Sequence, residues 1–168
     1  MPPQTKNPEQ EKSPASFVQR GGMWVLAQAL MMCLALIIPL WDGTGELIPG
    51  RPLAFLGAGI TALGLWLTLW GTLSLGRALT PYPVPRDDVR VQRQGAYRFM
   101  RHPMYAGVLL GSLGWAIWWV SVLGLLFVPA FALFFDRKAS YEEVWLRKKD
   151  KTYVDYELKV KKFIPGVY

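Results

Sequence analysis

Residues 95–107, GAYRFMRHPMYAG, bring together side-chain types that capture small ligands at a membrane edge. Pro103 has no N–H to donate and suits the first turn of a helix, so His102–Pro103 is expected to begin one. The unpaired backbone N–H groups at such an end, with Arg98 and Arg101 beside them, favour an anionic group. Tyr97 and Tyr105 add aromatic faces that attract a cation. Anion and cation contacts together suit a zwitterionic ligand. The plainer alternative is an interfacial anchor, because Arg and Tyr at headgroup level are ordinary.

A second charged constellation follows in residues 134–146, FFDRKASYEEVWL. Arg137, Lys138, Glu142 and Glu143 fall within two helical turns, and Lys138 and Glu142 share a face at i,i+4. Here the plain alternative is a surface ion pair worth a few tenths of a kcal/mol. Farther on, Tyr153, Tyr156 and Val160 form an apolar stripe on a charged helix, which would lie on the membrane or fold back onto the Arg-rich loop.

The inventory also excludes chemistry. His102 is the only histidine and Cys33 the only cysteine of 168 residues, so an intrachain disulfide is impossible and a zinc or di-iron centre is not expected. The net charge of +7 comes without a nucleic-acid motif and flanks apolar segments. It is read as topology and attraction to anionic lipid, and no nucleic-acid partner is expected.

The elements that must carry these groups follow from where charge is missing. Residues 23–41, 52–76 and 102–135 hold no Asp, Glu, Lys or Arg. A crossing of the bilayer takes about 20 apolar residues, so the first two intervals are one helix each. The third, as one helix, would run about 50 Å, well beyond the roughly 30 Å of hydrocarbon. It is expected to fold back near Ser121, with Trp118 and Trp119 at the bend. The fold class is therefore an all-α membrane protein of about four transmembrane helices, at 23–41, 52–76, 103–120 and 122–137, followed by a cytoplasmic amphipathic C-terminal helix. Gly57, Gly64 and Gly71, and Gly107, Gly111 and Gly114, sit at helical spacings that let helices approach closely.

Orientation follows from the basic residues. Segments 1–22, 77–101 and 136–168 carry 18 Lys/Arg, and segment 42–51 carries only Arg51. The positive-inside rule puts both termini and the Arg-rich loop in the cytoplasm, at the inner membrane of a bacterium or the endoplasmic reticulum of a eukaryote. Residues 1–22 read as a polar, Pro-rich disordered tail without a cleavable signal, and 23–168 as a single integral membrane domain.

Taken in order, GAYRFMRHPMYAG, a helical hairpin, FFDRKASYEEVWL and YVDYELKVKKFIP resemble the isoprenylcysteine carboxyl methyltransferase family, over about residues 89–165. The resemblance implies an integral membrane enzyme that moves a methyl group from S-adenosylmethionine to a lipophilic small-molecule or prenylated acceptor. It implies cofactor contacts at Val89, Arg90, Val91, Gln92, Tyr97, His102, Pro103, Met104, Tyr105 and Glu142. It implies acceptor positioning by Lys138, where the family usually has arginine, with Arg137 as its neighbour. The Phe-Gly pair usual before the final tyrosines is replaced by Lys149–Asp150. Three alternatives stay open: a phospholipid-type N-methyltransferase, an NADPH-dependent reductase of the sterol reductase type with a similar RHP-Y segment, and a non-enzymatic membrane adaptor. The acceptor and the oligomeric state are not legible.

Overall fold

The computed structural model describes residues 17, 18, 20–42, 52–84 and 90–168. The expectations placed on residues 1–16, on most of the loop 42–51 and on Val89 lie outside these residues. The described elements are helices: α1 Gly22–Trp41, α2 Pro52–Leu75, α3 Pro103–Trp118, α4 Val122–Lys149 and α5 Tyr153–Lys159, with 3-10 turns at Gly76–Ala78 and Gly95–Arg98. The only β-type pairing among them is a single parallel bridge between Met100 and Lys161.

Among the described residues, two helices are long and apolar enough to cross a membrane. Gly22–Trp41 has a mean hydropathy of 2.2, and Pro52–Ala78, which is α2 with its terminal turn, has 1.7. Helix α3 has 16 residues and α4 has 28, of which those from Asp136 onward carry charge. The helix that carries the fourth apolar segment, 122–137, runs on past it to Lys149. No Gly or Pro follows Pro129 to stop it, and the pairs Lys138–Glu142 and Glu143–Arg147 support the added turns.

Burial in α1 and α2 is the reverse of that in a water-soluble helix. The buried residues of α2 are Gly57, Gly64 and Gly71, and those of α1 are Gly22, Ala35 and Pro39. Leu26, Leu30, Leu36, Ile37, Leu56, Leu63, Leu65 and Trp66 are exposed. Small residues inside and large apolar ones outside is the arrangement that lipid solvates.

The glycines make a seam. A Cβ at Gly57 would meet the backbone of Gly114 and Trp118, one at Gly64 the backbone of Gly107 and Gly111, and one at Gly71 would meet Met104 and Pro103. Thus α2 and α3 run antiparallel at near-backbone contact, while α1 rests on α4 and α3 and barely touches α2.

The hairpin turns where expected: α3 ends at Trp118, Ser121 caps α4 by accepting from Gly124 N, and Val120 takes φ +51, a region that glycine favours. Asp42, at the end of α1, accepts from Ser121 Oγ at 2.5 Å and from Leu123 N at 3.2 Å, which joins that end of the bundle. At the opposite end, Gly21 sits against Pro83, and Arg93 pairs with Asp150 at 2.7 Å.

Candidate active site

At this second end, α1, the segment after α2, the start of α3 and the charged part of α4 surround a cavity of about 390 Å³. The segment holding His102 is anchored by the chain that follows α5. Arg101 N donates to Lys161 O at 2.9 Å and His102 N to Lys162 O at 3.0 Å. These two N–H groups are therefore spent on structure and not left for an anion. Tyr156 Oη donates to Tyr97 O at 2.5 Å, and Tyr153 and Tyr156 are buried. The tyrosine stripe thus lies on the Arg-rich segment.

Pro103 is the first residue of α3, which brings His102, Met104 and Tyr105 to the cavity wall. The His102 ring is stacked parallel to Tyr105, with centroids 5.5 Å apart. Its Nε2 is 3.0 Å from Glu143 Oε1 and its Nδ1 is 3.7 Å from Glu142 Oε2. Tyr105 Oη donates to Glu142 Oε1. Lys138 Nζ lies 3.8 Å from the same oxygen, one helical turn away.

The two glutamates are adjacent in sequence and opposite in environment. Glu143 faces inward, 3% exposed, with Arg101 Nε 3.0 Å away and Arg147 Nη2 3.9 Å away. Burial pushes its carboxyl up, but the His102 hydrogen bond and the charges of His102, Arg101 and Lys162 outweigh this and hold it below the ordinary value. Glu142 borders the cavity. There burial dominates and raises its carboxyl, against the opposing pull of His102, Lys138 and Tyr105. Burial likewise lowers the Lys138 ammonium, and Glu142 offsets part of the shift.

The sites expected from sequence divide as follows. Arg90, Val91, Gln92, Tyr97, His102, Met104, Tyr105, Lys138 and Glu142 line the one cavity. Pro103 does not line it and packs beneath, against the Gly71 position. Arg137 is exposed and outside the lining, whereas its neighbour Lys138 is part of it. Arg98 is exposed as well. Gln92 spends its side chain on structure: Nε2 donates to Ser74 O, and Oε1 accepts from Arg93 N and Gln94 N. Tyr105 offers no idle aromatic face, since His102, Phe135 at 4.5 Å and the Lys138 ammonium at 5.2 Å already engage its ring.

The Lys138–Glu142 pair is not the surface ion pair of the plain alternative, because Lys138 is 1% exposed. Contributors that escaped sequence reading include Gln28, the bend Pro81–Pro83, and Arg101 as the partner of Glu143. For Gln28 a signal existed, since it is the one strongly polar side chain in residues 23–41. Polar groups at that depth are costly and tend to be functional.

The cavity falls within the usual range for small-molecule sites, and its wall combines a carboxylate, a buried ammonium, aromatic rings and the extended segment 90–92. That donor and acceptor set fits a ligand carrying hydroxyls, a cationic centre and a heteroaromatic base.

Comparison with known proteins identifies the family. A family model described as phospholipid methyltransferase matches residues 53–151, more than half of the chain. A protein-S-isoprenylcysteine O-methyltransferase of Dictyostelium discoideum is 30% identical over 92 residues, covering 49% of this chain and 36% of that protein. Protein-S-isoprenylcysteine O-methyltransferase B of Arabidopsis thaliana is 26% identical over 144 residues, covering 80% and 73%. A probable protein-S-isoprenylcysteine O-methyltransferase of Oryza sativa subsp. indica is 31% identical over 83 residues, covering 48% and 44%. The chain thus aligns with less than half the length of the Dictyostelium and Oryza relatives. On the match to α2, the cavity segment, α3 and α4, the chain belongs to the phospholipid methyltransferase family.

Proposed function

We propose that this protein is a membrane-embedded methyltransferase that moves a methyl group from S-adenosylmethionine to a lipophilic acceptor bearing a carboxylate, of the isoprenylcysteine kind. The observation that carries the reading is the buried Lys138 ammonium 3.8 Å from Glu142 at the wall of one cavity. One group suits an anionic acceptor, and the other a cofactor with hydroxyl donors and a positive sulfur.

S-adenosylmethionine supplies an already activated methyl group. The protein's task is then alignment and exclusion of water. In this reading Glu142 accepts hydrogen bonds from the cofactor side, and Tyr105 fixes its orientation. His102 and Tyr97 border the same space, and Arg90 lies at its exposed rim. Lys138 orients the acceptor carboxylate. Such a carboxylate, with a pKa near 4, is a nucleophile at neutral pH without a general base, which suits a site whose one imidazole is hydrogen-bonded to Glu143. An apolar tail would enter from the bilayer between α1 and α2, which barely touch.

The reading extends to topology: four crossings, with α3 and α4 as the third and fourth, and both termini and the cavity on the cytoplasmic side. A second reading, N-methylation of a lipid amine, draws on the family description and on the Glu142 carboxylate at the cavity wall. The buried Lys138 argues against it, because an ammonium repels a protonated amine.

Calorimetric titration of the detergent-purified protein with S-adenosylhomocysteine and with NADPH tests the cofactor. Binding of the first and not the second is expected. NADPH binding alone would replace the proposal with the reductase alternative, and binding of neither would leave an adaptor.

A further inference from the structure

We infer that Gln28 of α1 forms the acceptor subsite together with Lys138, so that the carboxylate is held by one ammonium and one carboxamide N–H. The inference rests on the methyltransferase reading above and deepens it.

The argument begins with the lysine. Its ammonium has three donors and no acceptor, and in a buried position each donor needs an oxygen. Lys138 Nζ donates to Gln28 Oε1, and it has Pro81 O at 3.5 Å and Glu142 Oε1 at 3.8 Å. Because an ammonium cannot accept, the Gln28 amide must present its oxygen to Lys138 and turn its nitrogen elsewhere. Among the described residues, Nε2 donates one hydrogen bond, to the Met32 sulfur at 3.8 Å on the next turn of the same helix. Thioether sulfur is a weak acceptor, so the amide keeps donor capacity beside the cavity that Gln28 lines.

The pair thus leaves an amide N–H next to a lysine ammonium, a two-point arrangement for the two oxygens of a carboxylate. A lone lysine is a point charge and does not grip both oxygens in a fixed geometry. Gln28 supplies the second point. It comes from α1, outside the segment matched by the family model. Acceptor recognition on this reading involves the first helix, and cofactor recognition the segment from α3 to α4.

The competing role for Gln28 is to prop up Lys138 and nothing more. Charge separates the two. Glu at position 28 would hold Lys138 at least as well as Gln does, but would repel a carboxylate. Leu would remove the donor without adding charge.

The experiment uses full-length protein in detergent or bilayer discs, with Gln28→Leu and Gln28→Glu. Methyl transfer is followed for N-acetyl-S-farnesylcysteine, a free isoprenoid acid and a long-chain amine, and S-adenosylhomocysteine affinity is measured alongside. For a carboxylate acceptor, KM should rise about tenfold in Gln28→Leu and about a hundredfold in Gln28→Glu, a lost charge-assisted contact and then a repulsive one. S-adenosylhomocysteine affinity should stay within twofold, which also reports that the variants are folded. A Gln28→Glu enzyme as good as the parent, or loss of both ligands in parallel, overturns the inference. So does methylation of the amine alone or of none of the three, with the cofactor reading intact if S-adenosylhomocysteine still binds. A parent that binds no S-adenosylhomocysteine fails at the earlier step, and both readings fall.

Discussion

His102 Nε2 lies 3.0 Å from Glu143 Oε1, and this contact divides the labour of two adjacent glutamates. Successive residues on a helix point about 100° apart, so only one of them can face the cavity. Glu143 is turned inward to His102, Arg101 and Arg147, and Glu142 is left at the cavity wall. A paired-glutamate motif is here one structural carboxylate and one ligand-facing carboxylate.

Glu143→Gln should therefore cost stability before it costs binding. It removes the charge that compensates Arg101 and receives the His102 hydrogen bond, a loss of roughly 3 kcal/mol for a buried pair broken on one side. Thermal unfolding in detergent is the measurement, and an unchanged midpoint would contradict the assignment. The acid limb follows the same group. The folded carboxyl is held below its reference value of 4.5, so its contribution is fully present above pH 4.5 and is lost as pH falls through the folded value. The acid-unfolding limb should flatten below pH 4.5 in the variant.

Glu142 carries the opposite sign. Its folded carboxyl is raised above 4.5, so it becomes charged only at higher pH than a free glutamate. S-adenosylhomocysteine affinity should accordingly increase as pH rises through that raised value, and Glu142→Gln should remove this pH dependence while weakening binding by about tenfold or more. An affinity that does not vary with pH in the parent would show that Glu142 does not serve the cofactor.

Much of this arrangement was legible in the chain. The missing charges located the apolar helices, Pro103 marked the start of α3, and Ser121 marked the hairpin. The site was legible as far as it lies in local motifs, because His102, Tyr105 and Glu142 stand in unusual contexts. What sequence could not supply was direction. Arg137 and Lys138 are neighbours with equal charge, and only the rotation of α4 against α1 decides that Lys138 turns in and Arg137 out. Gln28 is 110 residues from Lys138, and no periodicity joins them. The side chain of Gln92 reads as a ligand contact until Ser74 claims it.

Topology is testable without the site. With Cys33 replaced by serine, single cysteines at positions 44 and 94 should label from opposite sides of the membrane, 44 from outside and 94 from the cytoplasm. The 18-to-1 distribution of Lys/Arg motivates the assignment. In the folded chain the segment bearing position 94 packs with Asp150 and Tyr156, and so should share its side with the C-terminal region. The reverse labelling would invert the orientation but leave the bundle as it is.

The glycine seam offers the sharpest stability contrast, because two glycines of one helix should respond differently to alanine. A Cβ at Gly64 would fall on the backbone of Gly111 and Gly107, which cannot give way as a flexible side-chain end could. Gly64→Ala must push α2 and α3 apart, at a cost of about 1–3 kcal/mol for overpacking. Pro103, at the start of α3, packs against the same seam at Gly71, so the displacement would reach His102 and reduce S-adenosylhomocysteine affinity. Gly59 lies on the same helix with nothing within 4 Å of its would-be Cβ. There alanine adds no clash and restricts the unfolded backbone, which stabilises by about 0.5–1 kcal/mol. Unfolding midpoints of the two variants, measured side by side in one detergent, should move down for Gly64→Ala and up or not at all for Gly59→Ala. Equal shifts in both would mean that α2 and α3 are not held at backbone contact.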